Sequence, residues 1–116
     1  MAIDFYHNPR CVTSRKALDL LRKKGIEPNI IEYLKTPPSK AQLKKIAELI
    51  GVPPRDLLRR REKAALATAG IDAKTASATA ALDAMVKDPV LIERPIIVNG
   101  RKARLGRPPE TVLEAV

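Results

Sequence analysis

The chain has 116 residues, a single cysteine and a formal net charge of +9 at pH 7. This length suits one ordinary domain, and a lone cysteine excludes an internal disulfide framework, so we expect a protein of the reducing cytoplasm. No apolar run approaches the ~18 residues of a membrane span, and an acidic residue follows directly after Met1-Ala2-Ile3, so we expect neither a signal peptide nor a membrane anchor.

The first third of the chain predicts a strand, a helix and a second strand. Residues 3–6 alternate loosely, and Ala17, Leu18 and Leu21 give the following helix an apolar face that ends at Gly25. Residues 29–33 are rich in β-branched side chains and predict the second strand. Because such crossovers are right-handed, the three elements predict a parallel βαβ unit.

The middle of the chain predicts helices. Ser39 and Gln42 have the spacing of a capping box, and an apolar helix face follows them as far as Gly51. From residue 53 to residue 87 we interpret the pattern as helical throughout. These segments predict a helical insertion over about residues 38–88.

The last part of the chain predicts a hairpin and a final helix. Residues 95–98 and 102–105 predict antiparallel strands joined by an Asn99-Gly100 turn. Pro108-Pro109 begins a helix with Val112, Leu113 and Val116 facing inward. The order βαβ, insertion, ββα predicts an α/β fold: one thioredoxin-like domain over residues 1–116, whose mixed sheet is interrupted by the helical insertion.

Cys11 lies where the first strand gives way to a helix. A helix start presents unpaired backbone N–H groups and partial positive charge, which both stabilise a thiolate. Arg10 and Arg15 act in the same direction, and Thr13 and Ser14 add hydroxyl donors. The pattern predicts a nucleophilic thiol, with a buried structural cysteine as the alternative.

The residues around Cys11 narrow its chemistry. Ser14 occupies the second position of a Cys-x-x-Cys pair, so any resolving thiol must come from another molecule. Ala17 stands where a phosphatase-type loop carries arginine. His7 is the only histidine and Cys11 the only cysteine, so no further His or Cys can complete a metal site and we expect none. His7 either orients or deprotonates the thiol or is a structural histidine.

The excess of positive charge favours an anionic partner. Phe5, Tyr6 and Tyr33 are the only aromatic residues, and neither a Gly-rich RNA-binding signature nor zinc-ligand spacing is present, so we expect no nucleic acid. Small oxyanions and acidic peptides stay open as ligands, and a merely basic, soluble surface explains part of the charge.

Several separated motifs resemble the glutaredoxin-coupled arsenate reductases. They are His7-Asn8-Pro9 with Cys11, Thr13, Ser14 and Arg15, then Leu58-Arg59, Glu93-Arg94-Pro95-Ile96 and Arg104-Leu105-Gly106-Arg107-Pro108. The resemblance covers essentially the whole chain. It implies that Cys11 is the nucleophile, that Arg59, Arg94 and Arg107 surround the oxyanion, and that Pro95 follows a cis peptide bond.

The resemblance also implies a reaction and its partners. Cys11 attacks arsenate, glutathione adds as co-substrate, and glutaredoxin resolves the product; we expect no bound cofactor and a monomeric protein. Gly106 stands where certain members carry a second cysteine, so that thiol has no role here. The residues expected to support the site are His7, Asn8, Thr13, Ser14, Arg15 and Pro95.

Each arginine has an alternative. Arg59 belongs to a run of three arginines, which is typical of a solvated face, and Arg60 is its rival for the site. An ion pair with Glu93 is the alternative for Arg94, and surface solvation is the alternative for Arg107.

Two other functions stay open. Spx-type regulators share the fold and act by docking on RNA polymerase, although the missing Cys-x-x-Cys argues against a disulfide-switched regulator. A glutathione-dependent thiol oxidoreductase with another substrate would use Cys11 in the same way. Retention of all three candidate arginines favours the arsenate reductase.

Overall fold

The chain alternates short strands with helices, and the computed structural model describes residues 2–116. Its described residues divide into two compact units, one made of the residues up to Thr36 with Arg94–Val116, the other Pro37–Glu93. The strands and α-helices are β1 Ile3–His7, α1 Val12–Lys23, β2 Asn29–Glu32, α2 Lys40–Ile50, α3 Lys63–Ala69, α4 Ala78–Lys87, β3 Ile96–Asn99 and β4 Lys102–Leu105. Three 3₁₀ helices complete them: Pro54–Leu57, Pro89–Leu91 and Pro109–Ala115.

The first unit is built on a four-stranded sheet with the order β2-β1-β3-β4. β1 runs parallel to β2 and antiparallel to β3, and β3 pairs antiparallel with β4. The predicted α/β class is therefore confirmed, with βαβ and ββα halves in one mixed sheet.

The apolar face of α1 lies in the core of this unit. Ala17, Leu18 and Leu21 are buried together with Phe5 of β1 and Ile97 of β3. The helix ends as predicted near glycine: the N–H of Gly25, at φ +78°, donates to the carbonyl oxygen of Arg22. Because β1 and α1 share this core, the turn between them, which carries Cys11, is held at both ends.

The hairpin turn differs from its prediction by one residue. Asn99 pairs with Lys102 inside the ladder, so the turn residues are Gly100 and Arg101. Of these two turn residues, only Gly100 has a positive φ, +61°, and glycine at the first turn position is typical of a type II′ turn. The side-chain amide of Asn99 instead donates to the carbonyl oxygen of Ala115 at 2.7 Å, which ties the C-terminal segment to the sheet.

The predicted C-terminal helix is a 3₁₀ helix, Pro109–Ala115. Val112 and Ala115 are buried in the core, whereas Val116 is 42% exposed, so its predicted inward position is wrong. The physical reason is the tighter turn, in which residues three apart lie on the same face.

The second unit is helical but less continuous than expected. The capping box is confirmed: the N–H of Gln42 donates to Ser39 Oγ at 3.1 Å, and the N–H of Ser39 donates to Gln42 Oε1 at 2.8 Å. The expectation of helix throughout residues 53–87 is wrong, because Leu58 is extended and pairs with Ile92, and α3 ends at Gly70 with φ +69°. A backbone pairing at Leu58 and the glycine at position 70 interrupt the helix expected over this segment.

Candidate active site

Cys11 is the N-cap residue of α1, with an extended backbone and a half-buried side chain. Its N–H donates to the carbonyl oxygen of Asn8, and its own carbonyl oxygen accepts from the N–H of Arg15, both at 3.0 Å. No acidic residue lies in the first turn of α1. The thiol therefore lies at the positive end of a helix with no carboxylate of that turn to offset it.

The surroundings of the thiol favour its ionised form. Burial raises the pKa of Cys11, but four contributions outweigh it: the backbone N–H of Ser14, a hydrogen bond from Arg94, and the positive charges of Arg94 and Arg107. The pKa of Cys11 consequently lies below its ordinary value. This is the direction expected of a nucleophilic cysteine rather than of an inert buried one.

Two arginines of the first unit converge on the sulfur. Nη2 of Arg107 lies 3.7 Å from Sγ of Cys11, and Nε of Arg107 donates to the carbonyl oxygen of Arg94 at 2.9 Å. The peptide bond between Arg94 and Pro95 is cis, as the resemblance implied. Guanidinium groups keep their charge and bind oxyanions through paired hydrogen bonds, so this pair can receive an anion beside the Cys11 thiol.

Gly106 lets these two arginine segments approach each other. Its N–H donates to the carbonyl oxygen of Pro95 at 2.8 Å. A Cβ atom at Gly106 would lie 2.6 Å from Cγ of Pro95 and 2.9 Å from Cγ1 of Val112, so no side chain fits without movement. This steric role was not predicted, because it depends on how the side chains of Pro95 and Val112 pack around the glycine.

His7 bonds to Ser14. Its Nδ1 lies 2.6 Å from Ser14 Oγ, and that hydroxyl also accepts from the N–H of Asn8 at 3.2 Å. Burial lowers the pKa of His7, against a smaller opposite effect of Glu32. A neutral ring that accepts the Ser14 hydroxyl proton fits this pattern, so His7 supports the turn through Ser14, whose backbone N–H in turn stabilises the thiolate.

The remaining residues of the turn brace its backbone. Arg15 Nη1 donates to the carbonyl oxygen of Pro9 at 2.9 Å, and Asn8 Oδ1 accepts from the N–H of Arg10 at 2.9 Å. Thr13 is half-buried in the first turn of α1. The side chains predicted around Cys11 thus come from the turn after β1 and from the first turn of α1, and Arg15 acts on the backbone of that turn.

Arg59 belongs to the second unit, where it is buried between carboxylates. Its Nη1 donates to Glu93 Oε1 at 2.7 Å, and its Nε lies 3.5 Å from Glu62 Oε1. Arg60 is exposed and lies 3.7 Å from Asp56. Arg60, and not Arg59, therefore has the solvent-exposed position that is typical of an arginine run. The pair of Arg59 with Glu93 had no signal in the sequence, because 34 positions separate its members.

Residues 2–116 show neither a metal-binding cluster nor a membrane-spanning helix. They contain no group of three or more His, Cys, Asp or Glu side chains that could hold a metal ion. Within the same range, the helices are too short or too polar to cross a membrane.

Known proteins match this chain along nearly its whole length. The profile of the ArsC family matches residues 6–115. The uncharacterized protein YfgD of Escherichia coli K12 is 43% identical over 115 residues, which cover 98% of this chain and 96% of YfgD. The arsenate reductase of Rhizobium meliloti strain 1021 is 41% identical over 114 residues, which cover 98% of this chain and 81% of the reductase.

A solved structure agrees in fold. The structure of an arsenate reductase from Vibrio cholerae matches with a TM-score of 0.88 and 42% sequence identity, covering 100% of this chain and 98% of that one. This match confirms the predicted thioredoxin-like fold and the resemblance seen in the motifs. The chain belongs to the ArsC family.

Proposed function

We propose that this protein reduces arsenate to arsenite with Cys11 as its nucleophile, using glutathione and glutaredoxin as thiol donors. The observation that carries the proposal is the pair of guanidinium groups at one sulfur: Arg107 Nη2 lies 3.7 Å from Cys11 Sγ, and Arg94 hydrogen-bonds the same thiol. The relatives named arsenate reductase at about 40% identity support the same substrate.

The charges suit an oxyanion substrate. Arsenate carries negative oxygens at neutral pH, so a thiolate that approaches it meets repulsion. Arg94 and Arg107 neutralise that repulsion and hold the thiolate at the same time. Arg59 completes the set in this proposal, although Glu93 and Glu62 compensate much of its charge before substrate binds.

The reaction requires three thiols. The Cys11 thiolate displaces one oxygen of arsenate as hydroxide or water, and the glutathione thiolate displaces a second one. A glutaredoxin thiolate then attacks the glutathione sulfur, which leaves two electrons on arsenic and forms a mixed disulfide between glutathione and glutaredoxin. Water releases arsenite from Cys11. Because no second cysteine exists in the chain, the disulfide forms between the other two thiols.

A coupled assay tests the proposal. NADPH consumption is followed with arsenate, glutathione, glutathione reductase and glutaredoxin, comparing the native protein with Cys11→Ser. Turnover that needs both arsenate and Cys11 is expected. Absence of turnover, with Cys11 still readily alkylated, would instead favour another oxidised substrate or the RNA polymerase regulator.

Arginine variants test the oxyanion site within the same assay. Arg94→Ala and Arg107→Ala are expected to raise the KM for arsenate while far-ultraviolet circular dichroism shows that both remain folded. Arg101→Ala is the matched control, because Arg101 is exposed in the hairpin turn. An unchanged KM in both site variants would remove these arginines from the oxyanion site.

The cellular setting is part of the same proposal. A chain with one cysteine and a thiol-dependent cycle suits the reducing cytoplasm. We also propose that the protein is a monomer and holds no bound cofactor, since glutathione enters and leaves as a co-substrate. Sedimentation at assay concentrations checks the monomer.

A further inference from the structure

The first unit contains a cavity of about 280 Å³ beside the turn that leads into Cys11. Its walls are residues 7–10, from the end of β1, and residues 32, 34 and 35, from the end of β2. Arg10 in one wall directly precedes Cys11 in the chain. The cavity is close to the lower end of the range of small-molecule sites, about 300–1,000 Å³.

The charges in this cavity have both signs. Arg10 and Lys35 are positive, Glu32 is negative, and Leu34 contributes an exposed apolar side chain. Lys35 Nζ lies 3.6 Å from Glu32 Oε1, and their side chains are 78% and 42% exposed. Exposed ion pairs of this length are weak, so Lys35 and Glu32 can each give up the other and bind a ligand instead.

A bare oxyanion is a poor occupant of this cavity. Glu32 would repel it, and the arginines that contact the Cys11 thiol, Arg94 and Arg107, are not among the residues that line the cavity. A small molecule with both kinds of charge satisfies all three charged residues at once. Such a ligand binds without competing with an anion at Arg94 and Arg107.

We propose that this cavity binds glutathione, with its two carboxylates toward Arg10 and Lys35 and its ammonium group toward Glu32. The choice of ligand rests on the proposed function, in which glutathione adds to the arsenic held by Cys11. At neutral pH the tripeptide carries two carboxylates and one ammonium group, which is the inverse of the cavity's charges. Binding here brings glutathione to the turn that carries Cys11, since Arg10 in the cavity wall is the chain neighbour of Cys11.

Amide chemical shifts test the site without any turnover. The full chain, labelled with ¹⁵N, is titrated with S-methylglutathione, which has no free thiol and cannot form a disulfide. The backbone amides of Asn8, Arg10, Glu32 and Lys35 are expected to shift and saturate together. Shifts confined to other amides, or none at all, overturn the proposal.

Two charge reversals make the test quantitative. Lys35→Glu is expected to weaken the affinity for S-methylglutathione about three- to tenfold, since one weak ion pair is replaced by repulsion. Lys102→Glu, an exposed strand residue of the same unit with the same change of charge, should leave it unaltered. Equal effects of the two variants overturn the proposal, because they would report net charge alone.

Two further results separate this site from its alternatives. Inorganic phosphate that shifts the same amides and competes with S-methylglutathione identifies a simple anion site and overturns the proposal. Glutathione-dependent arsenate turnover without binding at these amides overturns the cavity assignment alone. Binding at these amides in a protein that cannot reduce arsenate supports the cavity as a glutathione site and overturns only the proposed function.

Discussion

The substitution Gly106→Ala tests the packing that joins the two arginine segments. The added Cβ atom would lie 2.6 Å from Cγ of Pro95 and 2.9 Å from Cγ1 of Val112. Both contacts are far inside van der Waals distance, and both neighbours are fully buried, so neither can move into solvent. The new methyl group must therefore displace the Pro95 ring, the C-terminal 3₁₀ helix, or both.

The expected cost follows from two opposing effects. Overpacking of a dense core costs about 1–3 kcal/mol. Alanine recovers about 0.4–1 kcal/mol, because it restricts the unfolded chain more than glycine does. The balance is a loss of about 1–2 kcal/mol in the free energy of unfolding, which lowers the Tm of a chain of this size by about 4–8 °C.

Urea unfolding followed by circular dichroism measures this cost, and a double-mutant cycle locates it. Val112→Ala removes the methyl group that the new Cβ meets, so the double variant should be about 1 kcal/mol more stable than the sum of the single effects implies. A Gly106→Ala variant as stable as the native protein would contradict the predicted clash. Strict additivity of the two substitutions would show that Val112 does not take part in the clash.

Three further predictions use the charges of the structure. The pH profile of Cys11 alkylation should give a pKa below that of free cysteine, and Arg107→Ala should raise it; an unshifted profile would contradict the activated thiol. Arg59→Ala should cost about 1–3 kcal/mol in urea unfolding because it removes a charged hydrogen bond to a largely buried carboxylate, whereas Arg60→Ala, which removes an exposed pair, should cost under about 1 kcal/mol. Because burial lowers the pKa of His7, the unfolded chain binds its proton first as the pH falls through about 6.5. Stability should therefore decline below that pH, and His7→Gln should flatten the decline between pH 7.5 and 5.5; an equal slope in both proteins would contradict it.

Local chemistry accounts for the elements that were predicted well. Ser39 and Gln42 satisfy each other's backbone groups within four residues, and Gly25 supplies a positive φ where α1 must end. The apolar spacing of α1 defines its buried face. Such features depend on neighbours in the chain, so they can be predicted from the sequence before any tertiary contact is known.

Tertiary contacts account for the elements that were predicted wrongly. Residues 53–87 follow a helical pattern locally, yet Leu58 is drawn into a bridge with Ile92. Asn99 is a typical turn residue, yet its amide is used by the carbonyl oxygen of Ala115 while its backbone stays in the ladder. Val116 follows an α-helical spacing that the 3₁₀ helix does not have.

The sequence alone was enough to locate the cysteine at a strand-to-helix turn, to predict the α/β class and to indicate the family, because a lone cysteine and several separated motifs are local patterns. The tertiary structure alone decided which charges meet. It placed Arg107 against a sulfur 96 positions away and paired Arg59 with Glu93. It also showed that Gly106 leaves room for Pro95. These contacts depend on how distant segments pack, and no spacing along the chain encodes the distance between two side chains that only the fold brings together.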